Sequence, residues 1–207
     1  MDAPLKAKWI EMAVREVSTQ CLLARRALEA IPNVAGVQYP FILIQAFLSH
    51  CANASKMLQA LQEPQPIARY EFEWRAFFSL LKRLGLFKGG PTIGDLLGIK
   101  KSSPVHHRGR QFRNHLEHYD QRLFSWLSLH GANASIGDFN VMPKSMLNVP
   151  NLIYVRHLDP NTNIFTFVDK DLHLNALMVE LDRIRDAADQ YIEGLEQAIR
   201  LVKRRST

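Results

Sequence analysis

From Asp171 to the basic C-terminal tail, apolar residues return every three or four positions: Leu174, Leu177, Met178, Leu181, Ile184, Ala188, Tyr191, Ile192, Leu195, Ile199 and Val202. That period lays them along one stripe of a long helix. A single amphipathic helix cannot bury its own stripe, so the rest of the chain must supply helices to lie against it. Upstream, Pro4 to Ala30 carries the same period through Trp9, Ala13, Val17, Cys21 (or Gln20), Ala24 and Leu28, and Pro32, Asn33 and Gly36 end it. Tyr39 to about Leu61 is apolar nearly all round at Phe41, Ile42, Leu43 and Ile44, the pattern of a central helix. Its polar interruptions are Ser49, His50, Asn53 and Ser55; His50 is compatible with facing a site, and reads first as a satisfied interior histidine. Arg69 to Phe87 predicts another helix, with Phe72, Ala76, Phe77, Leu80, Leu81 and Leu84 facing a core, before Gly85, Gly89, Gly90 and Pro91 break the chain. Thr92 to Ile99 predicts a short helical turn.

A further helix follows Ser103 and Pro104, a cap and a first helical residue, although Gly109 argues for an interrupted start. Its stripe is Phe112, Leu116, Tyr119, Leu123, Trp126 and Leu127, and it ends near His130 and Gly131. Residues 132–150 read as irregular. The period then changes to that of strands in Leu152–His157 and Ile164–Val168, set around the turn residues Asp159 to Asn163, which predicts a β-hairpin over about 151–169. From Asp171 the pattern is helical again. The expected architecture is mainly α: one domain over 1–207, a bundle of about five helices with one β-hairpin inserted before the C-terminal helix.

Composition narrows the setting. The formal charge is +6 and the pI about 9.5, which suits an acidic partner such as nucleic acid without identifying one. Cys21 and Cys51 stand alone within apolar helical patterns, as buried thiols of a reducing compartment do. Lys6, Lys8 and Glu11 interrupt the first apolar residues, against a signal peptide, and no apolar run reaches the length of a membrane span. The expectation is a soluble cytoplasmic protein without membrane contact.

The densest cluster of Arg, His and carboxylate is Arg110 to Asp120. On a continuous helix Arg113 and His118 lie about 140° apart, both away from the apolar stripe, with Arg110, Asn114 and Glu117 between them. His115 falls at the edge of the stripe. A functional site and a plain solvated face are both compatible with this spacing, and Glu117 can simply pair with Arg113 one turn back. Before it runs a basic stretch, Lys100, Lys101, His106, His107 and Arg108, suited to phosphate or to open solvent. His106, His107, His115 and His118 lack a recognised ligand spacing with Cys or carboxylate, so no metal is expected. The glycines at 85–90 do not form a P-loop.

The run Arg113-Asn114-His115-Leu116-Glu117-His118 resembles the signature of the HEPN superfamily: an Arg, often followed by Asn, His or Asp, and a His about five residues on, carried by a helix of an α-helical bundle. The long helices before the motif and at the C-terminus agree with that resemblance; the β-hairpin lies outside the minimal bundle. Arg110/His115 repeats the spacing, and Asn114 favours the Arg113/His118 register. The resemblance implies a metal-independent endoribonuclease that needs no cofactor and acts as a homodimer, with two copies of the motif lining a cleft between protomers. It implies that His118 moves a proton, that Arg113 holds charge on the phosphorus centre, and that Asn114 orients the histidine or a phosphate oxygen. Glu117, Arg110 and His115 are the supporting residues, and Lys100, Lys101, His107 and Arg108 the nucleic-acid contacts. The partners implied are RNA, a second copy, and an antitoxin or other protein in toxin–antitoxin, stress or defence biology. Some members are not catalytic, so the alternative is a HEPN-like dimeric binding module for RNA, a nucleotide or a protein. A third reading is structural, with the polar cluster serving an interhelical contact.

Overall fold

The computed structural model describes residues 3–60, 91–130, 135–146, 152–168 and 170–205. The helix expected over Arg69 to Phe87 lies outside them. Among the described residues there are six α-helices: α1 (Ala3–Glu29), α2 (Tyr39–Leu58), α3 (Ile93–Leu96), α4 (Arg110–Glu117), α5 (Tyr119–His130) and α6 (Leu174–Arg205). The fold is mainly α, with a small sheet before the last helix.

The core forms where three apolar stripes meet. On α1 the buried residues include Ala13, Val14, Val17, Cys21 and Ala24; on α2 they include Ile44, Phe47, Leu48, Cys51 and Leu58; on α6 they include Leu174, Leu177, Leu181, Ile184 and Ala188. The first and last helices run antiparallel. Arg25 bonds Asp182 at 2.9 Å, Ser18 donates to Asp189 at 2.6 Å, and Arg15 reaches Glu196 at 3.0 Å. The exposed arginine pairs set register more than stability, because solvent screens charges at the surface. Burial stops short of the full stripe: Tyr191 and Ile192 are half-buried, and Ile199 and Leu201 are exposed.

The hairpin region is larger than its sequence pattern. β4 (Arg156–Asp159) and β5 (Ile164–Phe167) pair antiparallel with Arg156 opposite Phe167 and Asp159 opposite Ile164. The turn is held by Asp159, whose Oδ1 accepts from the amides of Asn161 at 2.9 Å and Thr162 at 3.3 Å. β6 (Lys170–His173) continues the sheet and delays the helix to Leu174, where the sequence pattern starts it at Asp171. Only tertiary partners favour the strand there: Leu172 is buried, and Asp171 accepts from Thr166 Oγ1 and Lys144 Nζ. The stretch read as irregular contains β1 (Ser135–Gly137) and β2 (Asn140–Val141). β2 joins β4 in parallel to give the order β2-β4-β5-β6, while β1 pairs in parallel with β3 (Leu152–Tyr154). The expected first strand is therefore split between two sheets at Val155. One face of the larger sheet, with Leu158, Phe165 and Leu172, is buried; Phe165 stands 6.2 Å from Phe41 of α2 and 6.4 Å from Phe112 of α4, ring centre to ring centre. The sheet is thereby laid against the helix that carries the motif.

Candidate functional site

Thr92 caps α3 by a reciprocal arrangement: its hydroxyl accepts from the Asp95 amide, and the Asp95 carboxylate accepts from the Thr92 amide at 2.8 Å. The chain then turns through Lys100 and Lys101, both exposed. Ser103 does not use its side chain as a cap; its hydroxyl donates to Glu180 of α6 at 2.6 Å. Pro104 opens a π-helical turn, Val105–Gly109, that leads straight into α4. Val105 and His106 face inward and His107 and Arg108 outward. Gly109 is pressed on α2 so closely that a Cβ there would stand 2.9 Å from the Cβ of Cys51. A wider helical turn accommodates an extra residue without losing the helix axis, and such turns recur at functional sites.

The inward histidine of the basic run packs against α2. His106 is buried, and its Nδ1 lies 2.9 Å from Ser55 Oγ and 3.2 Å from Gln59 Nε2. Ser55 lies on α2 and Gln59 is its C-cap, so the ring is tied to the central helix through Nδ1. Burial, then the charges of His107 and Arg110, hold this imidazole below its ordinary pKa, with Glu180 opposing. Arg110 donates to Gln59 Oε1 at 3.3 Å, so it is tied to α2. Nothing in the sequence marks Ser55 and Gln59 as partners of this stretch; Ser55 reads there only as a polar break in an apolar helix.

Arg113 is half-buried and pairs with Glu117 at 2.5 Å, the local contact that their spacing allows. Asn114 is exposed. The helix expected to run on to His130 ends at Glu117. His118 closes it with φ −107° and ψ 40°, its amide donating to the Asn114 carbonyl at 3.1 Å, and α5 starts afresh at Tyr119. No glycine or proline marks the break, so the apolar period runs through it unaltered. The 140° separation of a continuous helix therefore does not describe Arg113 and His118. His118 stands exposed at the corner between two helices, while Arg113 lies on the last full turn before it. The side chain of His115 lies outside the described residues.

Two other histidines are accounted for by packing. His50 Nδ1 lies 2.7 Å from Gln20 Oε1, and burial holds its pKa down. His157 on β4 is fully buried, its ring centre 4.4 Å from that of Tyr154, and among the described residues neither of its ring nitrogens has a hydrogen-bond partner. Burial and the charge of Lys144 hold its pKa below the ordinary value, against the pull of Asp159 and Asp171. Among the described residues, no group of three His, Cys, Asp or Glu side chains converges as metal ligands would, and no helix is long and apolar enough to cross a membrane. Chemically, this stretch offers an exposed imidazole at His118 and a guanidinium paired with a carboxylate, and Lys100, Lys101, His107 and Arg108 are exposed ahead of it in the chain. No protein-family model, curated protein or solved structure matches this chain.

Proposed function

We propose that the protein is a metal-independent endoribonuclease of HEPN type, working as a homodimer in the cytoplasm, with a second protein as its antitoxin or regulator. The observation that carries this reading is His118: an exposed histidine at a helix corner, five residues after an arginine whose guanidinium is partly accessible. Cleavage without a metal needs a group that takes the proton of the ribose 2′-OH and a fixed cation for the charge that develops on the phosphate. A histidine suits the first role near neutral pH, and an arginine fork suits the second. In this reading the exposed Asn114 orients the histidine or holds a phosphate oxygen. Glu117 restrains the Arg113 rotamer, leaving other N–H donors of the guanidinium for the substrate. Lys100, Lys101, His107 and Arg108 extend the electrostatic footprint along the strand.

The test is incubation of purified protein with mixed RNA in chelator, beside His118→Ala and Arg113→Ala. Cleavage by the wild type alone, leaving 2′,3′-cyclic phosphate ends, supports the reading. Equal cleavage by all three removes the site from this corner. The second reading is a non-catalytic dimeric module that binds RNA, a nucleotide or a protein. The Arg113–Glu117 pair favours it, because a guanidinium neutralised by its neighbour is a weaker transition-state cation. Binding without cleavage, lost in Arg113→Ala, distinguishes that case.

A further inference from the structure

A cavity of about 250 Å³ opens beside the motif helix. Leu116 forms part of its wall, one turn on from Arg113 and next to Glu117. The opposite wall is one face of α2: Gln38, Phe41 and Gln45 recur at three and four residues. The third wall is Phe139 and Arg156. Phe139 sits at φ 54°, a conformation that bulky residues rarely adopt. Its amide donates to Asp138 Oδ1 at 2.9 Å, and its ring stands edge-on to Phe41, with centroids 5.4 Å apart. The Arg156 guanidinium lies 3.7 Å from the Phe139 ring centroid.

The chemistry of the walls selects a ligand. Arg156 donates to both oxygens of Asp138, at 2.8 and 2.5 Å, so its Nε–Nη2 fork is taken and its charge is balanced by that carboxylate. What remains is the half-buried Phe139 ring, the aliphatic side chains of Ile42 and Leu116, and two side-chain amides, while Phe41 and Phe165 line the cavity from buried positions. Gln38 occupies the N-cap position of α2 yet makes no capping bond with its side chain. Both glutamines are exposed, each carrying a donor and an acceptor. The volume is below the roughly 300–1,000 Å³ of cavities that enclose drug-sized ligands, so it suits a single flat ring system. Aromatic faces that stack and amides that read an edge are how proteins hold an unstacked base.

We propose that this cavity takes one nucleobase of the RNA strand whose phosphate lies at Arg113, and so sets which nucleotide is presented to the corner. This rests on the ribonuclease reading above, and the experiment separates the two. Binding of a labelled RNA hexamer to His118→Ala protein is measured by anisotropy in chelator. The same strand is then measured with a single abasic nucleotide at each position in turn. The expected result is one position where loss of the base weakens binding about tenfold, as one stacked base supports. Gln38→Ala/Gln45→Ala in that background should bind intact and abasic strands alike, at the affinity of the abasic strand. If the strand binds equally well with an abasic nucleotide at any position, the cavity is not a base site, while the RNA reading stands. If no strand binds but adenosine, guanosine, cytidine or uridine does by calorimetry, and the glutamine variant loses it, the base chemistry stands and the RNA reading fails. Binding of neither strand nor nucleoside overturns both.

Discussion

Gly109→Ala is the most direct probe of how the motif helix is seated. The added Cβ would stand 2.9 Å from the Cβ of Cys51. Carbon atoms pack best at roughly 3.5–4.0 Å, so the π-helical turn and α2 must separate by about 0.6–1.1 Å. Neither side has slack. Cys51 is fully buried on the central helix, with Phe47, Leu48, Ala54 and Ser55 equally buried around it. A Cβ is fixed to the backbone and cannot rotate away. Overpacking of this kind costs about 1–3 kcal/mol. Against it stands the intrinsic gain of Ala over Gly in a helix, roughly 0.5–1 kcal/mol, available because Gly109 has ordinary right-handed angles of −58° and −46°. The net expectation is a loss of about 1 kcal/mol. With a urea slope on the order of 2 kcal/mol per molar, the midpoint should fall by about 0.5 M, followed by circular dichroism. Cys51→Gly in the same background removes the opposing Cβ, and the double-mutant cycle should show a favourable coupling of about 1 kcal/mol. A Gly109→Ala midpoint equal to or above wild type would refute the close-approach argument, since propensity alone would then have decided the outcome.

Other expectations follow from single groups. His157→Leu replaces a buried ring whose nitrogens have no partner among the described residues, and should leave stability unchanged or raise it by about 1 kcal/mol; a loss above about 1 kcal/mol, read from urea midpoints, would show that a polar partner had been removed. His50, His106 and His157 all have pKa values held below the ordinary histidine value. The unfolded chain then binds more protons than the folded one as pH falls through about 6.5, so stability is full above that value and declines below it. Urea midpoints on the alkaline and acidic sides of that value should show the decline, smaller in His157→Leu; a flat profile would contradict it. Ser55→Ala removes one of the two partners of His106 Nδ1 and should cost about 1 kcal/mol in the same assay; no loss would show that Gln59 alone satisfies the ring. Glu117→Gln breaks a half-exposed ion pair and should change stability by less than about 0.5 kcal/mol while tightening RNA binding, which anisotropy titration would show; unaltered affinity would detach Arg113 from the RNA.

What the sequence determined by itself is whatever repeats at short range. The stripes of α1, α2 and α6 follow from residues three and four apart, and the β4–β5 hairpin from strand-forming runs around an Asp159 turn, because helical and hairpin hydrogen bonds close within a few residues. The Arg113–Glu117 pair is legible for the same reason. Tertiary structure decided the rest. The π-helical turn exists where Gly109 meets Cys51, and His106 points inward where Ser55 and Gln59 receive it; each is a contact between segments distant in the chain. The corner at His118 cuts an apolar period that continues on both sides of it. β6 replaces a predicted helical turn because Thr166 and Lys144 offer Asp171 partners that a helix would not reach. The cavity joins Gln38 to Arg156, residues that no local pattern relates. Periodicity specifies which side of an element is buried, but the partner on that side, and where an element must bend to meet it, depend on packing between segments far apart in sequence.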